Sequence, residues 1–521
     1  MSREYDAIVI GGGHNGLVAA CYLAQAGRKV LVLERYHTVG GAAITEEIHP
    51  GFRVSVASYS CSLLRPEIIA DLRLREYGFE TYPKTPSYFM PFPDGEHLLL
   101  RADDRERSKA AIRRFSPRDA LAYDAWEDFW DRVGDIIEPT LMQPPITLGE
   151  LAERFERAGC ADDFRRIMLL SMADLLDEFF ESSQVKAAML PQGIIGTAGG
   201  PMTPGTPYVW LYHAIGRALG KRGIWGYVRG GMGSITQALA TSAQALGVEI
   251  RTSTPVAQVL VEAHQACGVV LENGDEIRSR VVLSNADPKR TFLQLCPGSA
   301  LPAEFRQRIE RNYRSSGPVY KLNLALRELP RYLAAPRDMP PEVISRATID
   351  IAPSVAYVER AWDDCKQGQP ASEPFIEIFS QSPTDPSMAP AGQHILSCFC
   401  QYAPYAPQDR SWDDGLREEF ADRVLHKLAE YAPNISDAVI ARQMLSPVDL
   451  ERRFALTGGH IFHGEITPDQ SFNLRPLEGH ADYRTPLSGL YLCGSGTHPG
   501  GGVTGIPGHN AAQVVLADLN L

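Results

Sequence analysis

The chain has 521 residues, 44% of them apolar and 22% charged, with a formal net charge of −12 at pH 7. That is enough for two domains and a large core. The acidic surplus removes the basic footprint that a nucleic-acid-binding protein needs, and no run of about 20 uninterrupted apolar residues offers a membrane span.

Met1 to Asp6 carry no signal-peptide pattern, because the first apolar run already opens a fold. Ala7 to Ile10 reads as a strand, a glycine loop follows, and Leu17 to Gln25 reads as a helix packed on a sheet. Gly27 ends that helix and Lys29 to Leu33 is a second strand, which completes a βαβ unit. From Asp103 to Lys221 the texture is helical: Trp126, Phe129, Trp130 and Val133 recur at helical spacing, and Leu148 to Arg157 and Phe164 to Phe180 read as helices. A glycine turn at Gly230, Gly231 and Gly233 precedes a helix over Ser234 to Ala245. Short strands follow at Val248 to Thr252, Val256 to Glu262, Ala266 to Leu271 and Val281 to Ser284, with a hairpin turn at Asn273-Gly274. Strands at Val319 to Leu326, Phe375 to Phe379 and Ile395 to Tyr402 are joined by a helix over Glu418 to Tyr431. The last strand, Leu490 to Cys493, runs into a glycine-rich loop, Gly494 to Gly508, and a closing helix. The predicted fold class is α/β: a discontinuous Rossmann-like nucleotide domain (1–102, 225–310 and 480–521) interrupted by an α+β substrate domain (103–224 and 311–479) with a helical lid.

Gly11, Gly13 and Gly16 form a G-x-G-x-x-G between strand and helix, with His14 and Asn15 inside it. Gly11 permits the tight turn, Gly13 lets the backbone approach a pyrophosphate, and Gly16 lets helix and strand close up. Glu34 ends the second strand, where a carboxylate can hydrogen-bond a ribose hydroxyl and disfavours a 2′-phosphate. Arg35, Gly41 and Ala42 follow where an extended dinucleotide would continue. The C-terminal loop, with Gly494, His498, Gly505 and Ile506, can lay backbone N–H groups against a flavin, which a nicotinamide enzyme does not need. These two loops predict non-covalent FAD. A second nicotinamide-binding module is not evident: Gly231-Met232-Gly233 follows no clear apolar strand and lacks the later glycine. No metal site is expected. The nine cysteines are scattered without a CxxC, so the paired thiols of a disulfide-exchanging flavoenzyme are missing. Cys398 and Cys400 alternate on a strand, which suits core packing.

The chain resembles the phytoene desaturase-related flavoproteins within the amine-oxidase-like flavin fold. The stretches GGGHNGLVAACYLAQAG, LERYHTVGGAA, RGGMGSITQAL, VVLSNADPKRTFLQL and CGSGTHPGGG carry the likeness. The segment Gly458 to Pro476 points to the branch with cyanobacterial-type β-carotene ketolases and the mitochondrial proteins named for a pyridine nucleotide-disulphide oxidoreductase domain. The resemblance implies an FAD-dependent oxidoreductase acting on a carotenoid- or isoprenoid-like molecule, with electrons leaving to oxygen, a quinone or another protein. It places Val256 at the adenine. Oxidation of a small amine, redox-neutral polyene isomerisation and a flavin-loaded scaffold are the competing readings.

Two residues are candidates for catalysis. His463 lies in the segment before the flavin loop, with Glu465 to orient it, and an imidazole can take a proton as hydride leaves. Against this stands a structural histidine in a turn. Lys321 stands on a strand where amine-oxidase-like proteins carry a lysine near the flavin, against an ordinary outward-facing lysine. Arg101 to Arg118 holds seven basic residues against three acidic ones. It could touch anionic lipid, although a solvated helix face is the plainer reading. The expected location is the cytoplasm, peripheral to a membrane, or the mitochondrion in a eukaryote.

Overall fold

The computed structural model describes residues 5–519. In chain order the elements that matter here begin with β1 (Tyr5–Ile10), α1 (His14–Gln25) and β2 (Val30–Leu33). Strands β3 (Tyr88–Pro91) and β4 (His97–Leu100) precede the helices α2 (Pro117–Ile137), α3 (Leu148–Arg157), α4 (Ala161–Met168), α5 (Met172–Phe179) and α6 (Gly233–Ala245). Then come β5 (Glu249–Arg251), β6 (Val256–Glu262), β7 (Gln265–Leu271) and β8 (Glu276–Ser284). The remainder supplies β9 (Val319–Leu326), β10 (Thr348–Ile351), β11 (Phe375–Phe379), β12 (His394–Gln401), α7 (Asp414–Tyr431), β13 (Val439–Leu445), β14 (Leu490–Leu492) and α8 (Ile506–Leu519).

Two seven-stranded sheets organise the molecule. The first runs β6-β7-β8-β1-β2-β5, with β14 also on β8. Its centre is parallel: Ala7 pairs with Val30 on one side and Val281 on the other. Ile8, Leu31 and Val282 are fully buried, as strands covered on both faces must be. β7 and β8 form the expected hairpin, with Gly274 at φ 89° in its turn. Helices α1, α6 and α8 pack together, and α8 approaches α1 so closely that a Cβ on Gly508 would lie 2.0 Å from the Asn15 carbonyl oxygen. The first and last helices of the chain are thereby joined beside the G-x-G-x-x-G loop.

The second sheet runs β13-β9-β12-β11-β10-β3-β4. β3 and β4, in the segment 1–102 assigned above to the nucleotide domain, complete the edge of this sheet instead. The sheet has two unlike faces. Leu322, Cys398, Ile378 and Ile349 lie opposite one another across four strands, and they pack with Phe420, Val424 and Leu428 of α7 in one apolar cluster. Cys398 and Cys400 belong to that face. The residues between them in register, Lys321, Phe399, Glu377 and Asp350, form a row on the opposite face.

The aromatic stripe of α2 packs into the helical layer: Trp130 stacks on Trp210 at 3.9 Å, and Trp126 meets Phe179 and Phe180 at 5.3 Å. Each such side chain contributes roughly 1.5–3 kcal/mol by leaving water. The helix expected over Phe164 to Phe180 is broken in two. Ser171 caps α5 in a reciprocal capping box with Asp174, which resets the helix start and turns the chain at Leu169-Leu170. The basic segment is largely paired internally: Arg105 and Lys109 sit on Asp124, Arg114 on Glu96 and Arg118 on Glu181. Among the described residues no helix is long and apolar enough to cross a membrane.

Candidate flavin site and the chamber beside it

A cavity of about 340 Å3 is lined at one end by the C-terminal tips of β1 and β2 and at the other by the second sheet. That is the size range of small-molecule sites, and the C-terminal edge of a parallel sheet is where such folds bind ligands. Gly11, Gly13, His14 and Asn15 line it. Gly11 has φ 97°, and a Cβ on Gly13 would lie 2.9 Å from the Asn285 side chain. Gly16 stands behind the loop, where a Cβ would strike the Gly11 carbonyl oxygen at 2.2 Å. The loop thus leaves a cradle bounded by the first N–H groups of α1, which favour an anion.

Glu34 lines the cavity and is 6% exposed. Its Oε2 accepts from the Gly12 amide at 2.7 Å and its Oε1 from the Tyr36 amide at 2.8 Å. Burial raises its pKa, and the two amides partly offset that. The carboxylate therefore braces the loop in addition to facing the expected ribose position. Arg35, Gly41, Ala42 and Val256 also line the cavity. Arg35 spends donors on the carbonyls of Arg452 and Arg453, at 3.0 and 2.6 Å.

The C-terminal loop reaches the cavity through Ser495, Gly502 and Val503. Gly494, Gly505 and Ile506 shape it from behind: Gly494 lets the Asn285 carbonyl approach to 2.5 Å of where a Cβ would be, and Gly505 turns at φ 76°. His498, expected against the flavin, does not line the cavity. It is 1% exposed beside Phe472, with Nε2 3.3 Å from the Thr140 carbonyl oxygen, and burial pulls its pKa down to about 4.

His463 does line the cavity, in a left-handed backbone conformation at φ 58°. Its pKa is pulled down to about 3 by burial, with Arg475 and His460 adding to the effect. Burial thus disfavours the imidazolium form at this position. Glu465 does not orient it: Glu465 Oε1 lies 2.9 Å from His460 Nε2 and accepts from the Ala198 amide at 3.0 Å. His14 is likewise neutral, with its pKa lowered to about 4 by burial and by His463. His14 Nε2 and His463 Nδ1 have no hydrogen-bond partner within the protein. Two orphaned imidazole nitrogens facing a glycine-walled groove fit the polar edge and ribityl chain of a flavin.

Arg475 fixes this geometry. It is fully buried and its hydrogen bonds all go to carbonyls: Glu465 at 2.5 Å, Phe462 and Ser495 at 2.7 Å, Thr497 at 3.2 Å, Gln470 at 3.3 Å and Gly464 at 3.4 Å. It pins the His463 segment to the C-terminal glycine loop.

Lys321 is 1% exposed and lines the cavity, so the outward-facing alternative does not hold. Its Nζ donates to Ser397 Oγ and stands 4.5 Å over the Tyr59 ring. Burial lowers its pKa to about 8. Lys84, Thr348 and Glu377, which sequence reasoning missed, also line the cavity. The one local signal was a lone charge inside an apolar strand: Glu377 in FIEIF of β11.

Residues 16–516 match the model of the family described as flavin containing amine oxidoreductase. The chain is 41% identical to the rat protein called pyridine nucleotide-disulfide oxidoreductase domain-containing protein 2, covering 100% of this chain and 94% of that one. It is 26% identical to a neurosporene-forming phytoene desaturase of Cereibacter sphaeroides, over 98% of this chain and 94% of that one. Wild-type putrescine oxidase bound to putrescine superposes with a TM-score of 0.62 at 17% identity, over 99% of each chain, which shows the shared fold. The chain belongs to the flavin-containing amine oxidoreductase family and is an FAD-dependent oxidoreductase built on a Rossmann-like domain.

Proposed function

We propose that this enzyme removes hydride from a hydrophobic, carotenoid- or isoprenoid-like substrate and passes the electrons to oxygen, a quinone or a protein acceptor. The observation that carries the proposal is the chamber beyond the glycine loops. Ile195, Trp225, Phe399, Ile461 and Phe462 wall it with apolar surface continuous with the groove that suits FAD. Bound FAD supplies the hydride acceptor. The apolar walls hold the substrate carbon skeleton and exclude water. His14 and His463 stay uncharged at neutral pH and offer hydrogen bonds, not charge. Similarity to a protein named phytoene desaturase supports a substrate of this class. A substrate dissolved in lipid also gives the enzyme reason to work at a membrane surface.

The test is anaerobic mixing of the yellow holoprotein with a series of isoprenoids while flavin absorbance is followed. Bleaching by at least one member of the series is expected. Bleaching by small amines alone would overturn the substrate class. Geometric isomerisation of a polyene without net bleaching would replace dehydrogenation by a redox-neutral reaction.

A further inference from the structure

The floor of the chamber is not apolar, and that is unusual for a site meant for hydrocarbon. Across the second sheet, Lys321, Phe399, Glu377 and Asp350 stand in one row. Lys84 reaches over the neighbouring row, with Nζ 4.0 Å above the Phe379 ring and 3.0 Å from Thr348 Oγ1. Tyr59 sits between them: its hydroxyl donates to Glu377 Oε1 at 2.8 Å, and its ring lies 4.3 Å from Phe379. Lys84, Lys321, Glu377 and Asp350 are all 5% exposed or less. Buried charges of this kind are costly unless partnered. Yet Glu377 Oε2 has no partner within the protein, and no carboxylate lies within ion-pairing distance of either lysine among the described residues.

We infer that the molecule bound in this chamber carries a hydroxyl group, which donates to Glu377 Oε2 and accepts from the Lys84 ammonium. This rests on the reading of the chamber as the substrate site. Burial and the neighbouring Glu377 push the Asp350 carboxyl well above the usual carboxylate range. Burial also brings Lys84 down and Glu377 up, and the opposite charge of each partly offsets the shift of the other. An ammonium ligand would add a third buried amine beside Lys84 and Lys321. A carboxylate ligand meets the lone pairs of Glu377 Oε2. A hydrocarbon leaves Glu377 Oε2 without a partner in a dry site. A hydroxyl both donates and accepts, and it matches both groups.

The experiment compares four probes on one C15 isoprenoid skeleton: the alcohol, the hydrocarbon, the primary amine and the carboxylate. Binding to the holoprotein is read by flavin difference spectra and by equilibrium dialysis. The alcohol is expected to bind at least about tenfold more tightly than each of the others, the size of one hydrogen bond to a charged group. Glu377→Leu should raise the alcohol Kd at least about tenfold and leave the hydrocarbon Kd within about twofold. If that variant does not retain FAD, Lys84→Met carries the same expectation. Equal binding of alcohol and hydrocarbon overturns the hydroxyl and leaves the hydrophobic chamber standing. Tightest binding of the amine or the carboxylate overturns the hydroxyl in favour of that group. Failure of all four to bind overturns the chamber as substrate site and the hydroxyl with it.

Discussion

Arg475 is the residue whose loss should be felt furthest. Its guanidinium joins two segments that share no secondary structure: Phe462 to Glu465, which carries His463, and Ser495 to Thr497, which opens the C-terminal loop. Arg475→Met keeps the length and the apolar stem but strips every donor. Six carbonyls then lose a charge-assisted hydrogen bond, the four shorter ones each worth about 1–3 kcal/mol when the partner is removed. Water entering from the adjacent cavity can restore some of them, so the net cost should be about 3–5 kcal/mol. Arg475→Lys should recover less than half of this, because one ammonium cannot span the fork that a guanidinium fills. Urea unfolding of the FAD-free protein gives the stability term, and quenching of FAD fluorescence on titration gives the cofactor Kd. The two should worsen together, since the same clamp shapes the flavin loop. A variant within about 1 kcal/mol of the parent, with an unchanged FAD Kd, would refute the clamp.

Three further outcomes follow from the site. His463→Asn tolerates the same left-handed backbone and should leave the pH dependence of flavin reduction between pH 5 and 8 unchanged, because an imidazole with its pKa near 3 does not titrate there; an ionisation that disappears in the variant would restore His463 as a base. Glu34→Ala should raise the FAD Kd at least about tenfold and also lower Tm, because the Gly12 and Tyr36 amides lose their acceptor; full FAD occupancy at limiting cofactor would sink this. His213 and His498, 5% and 1% exposed, are both held down to about 4 by burial. Because the folded pKa lies below the ordinary 6.5, their stability contribution is complete above pH 6.5 and lost as pH falls through 4, up to about 3 kcal/mol each. Tm should therefore drop steeply between pH 6.5 and 4, with proton uptake on unfolding; a flat profile there would contradict neutral burial.

The glycine loops were legible because their signal is local. A strand, three spaced glycines, a helix and Glu34 all fall within residues 5–34, and short-range sterics dictate the turn. The break at Ser171 was equally local, written in Ser171 and Asp174, but a continuous apolar pattern from Phe164 to Phe180 masked it. The chamber floor was illegible for a different reason. Asp350 and Glu377 come from strands brought together only by sheet pairing, and Lys84 comes from a loop far from them in sequence; the position of a charge in a strand does not say whether its face meets water or a cavity. Lys321 was noticed, yet its burial depends on β12 and β13 flanking it, which no residue near it announces. His498 turns away from the cavity, because lying in the right loop does not fix which way a side chain turns.

The embrace of α1 and α8 carries a consequence in time. Asn15 leaves the ribosome long before Gly508, and the two backbones must meet before the groove beside them is closed. At ordinary rates of synthesis the interval is on the order of a minute. During it the β1–α1 loop exists without the partner that completes its surroundings. Closure of this groove therefore waits for the synthesis of α8, and cofactor capture is expected to follow that step.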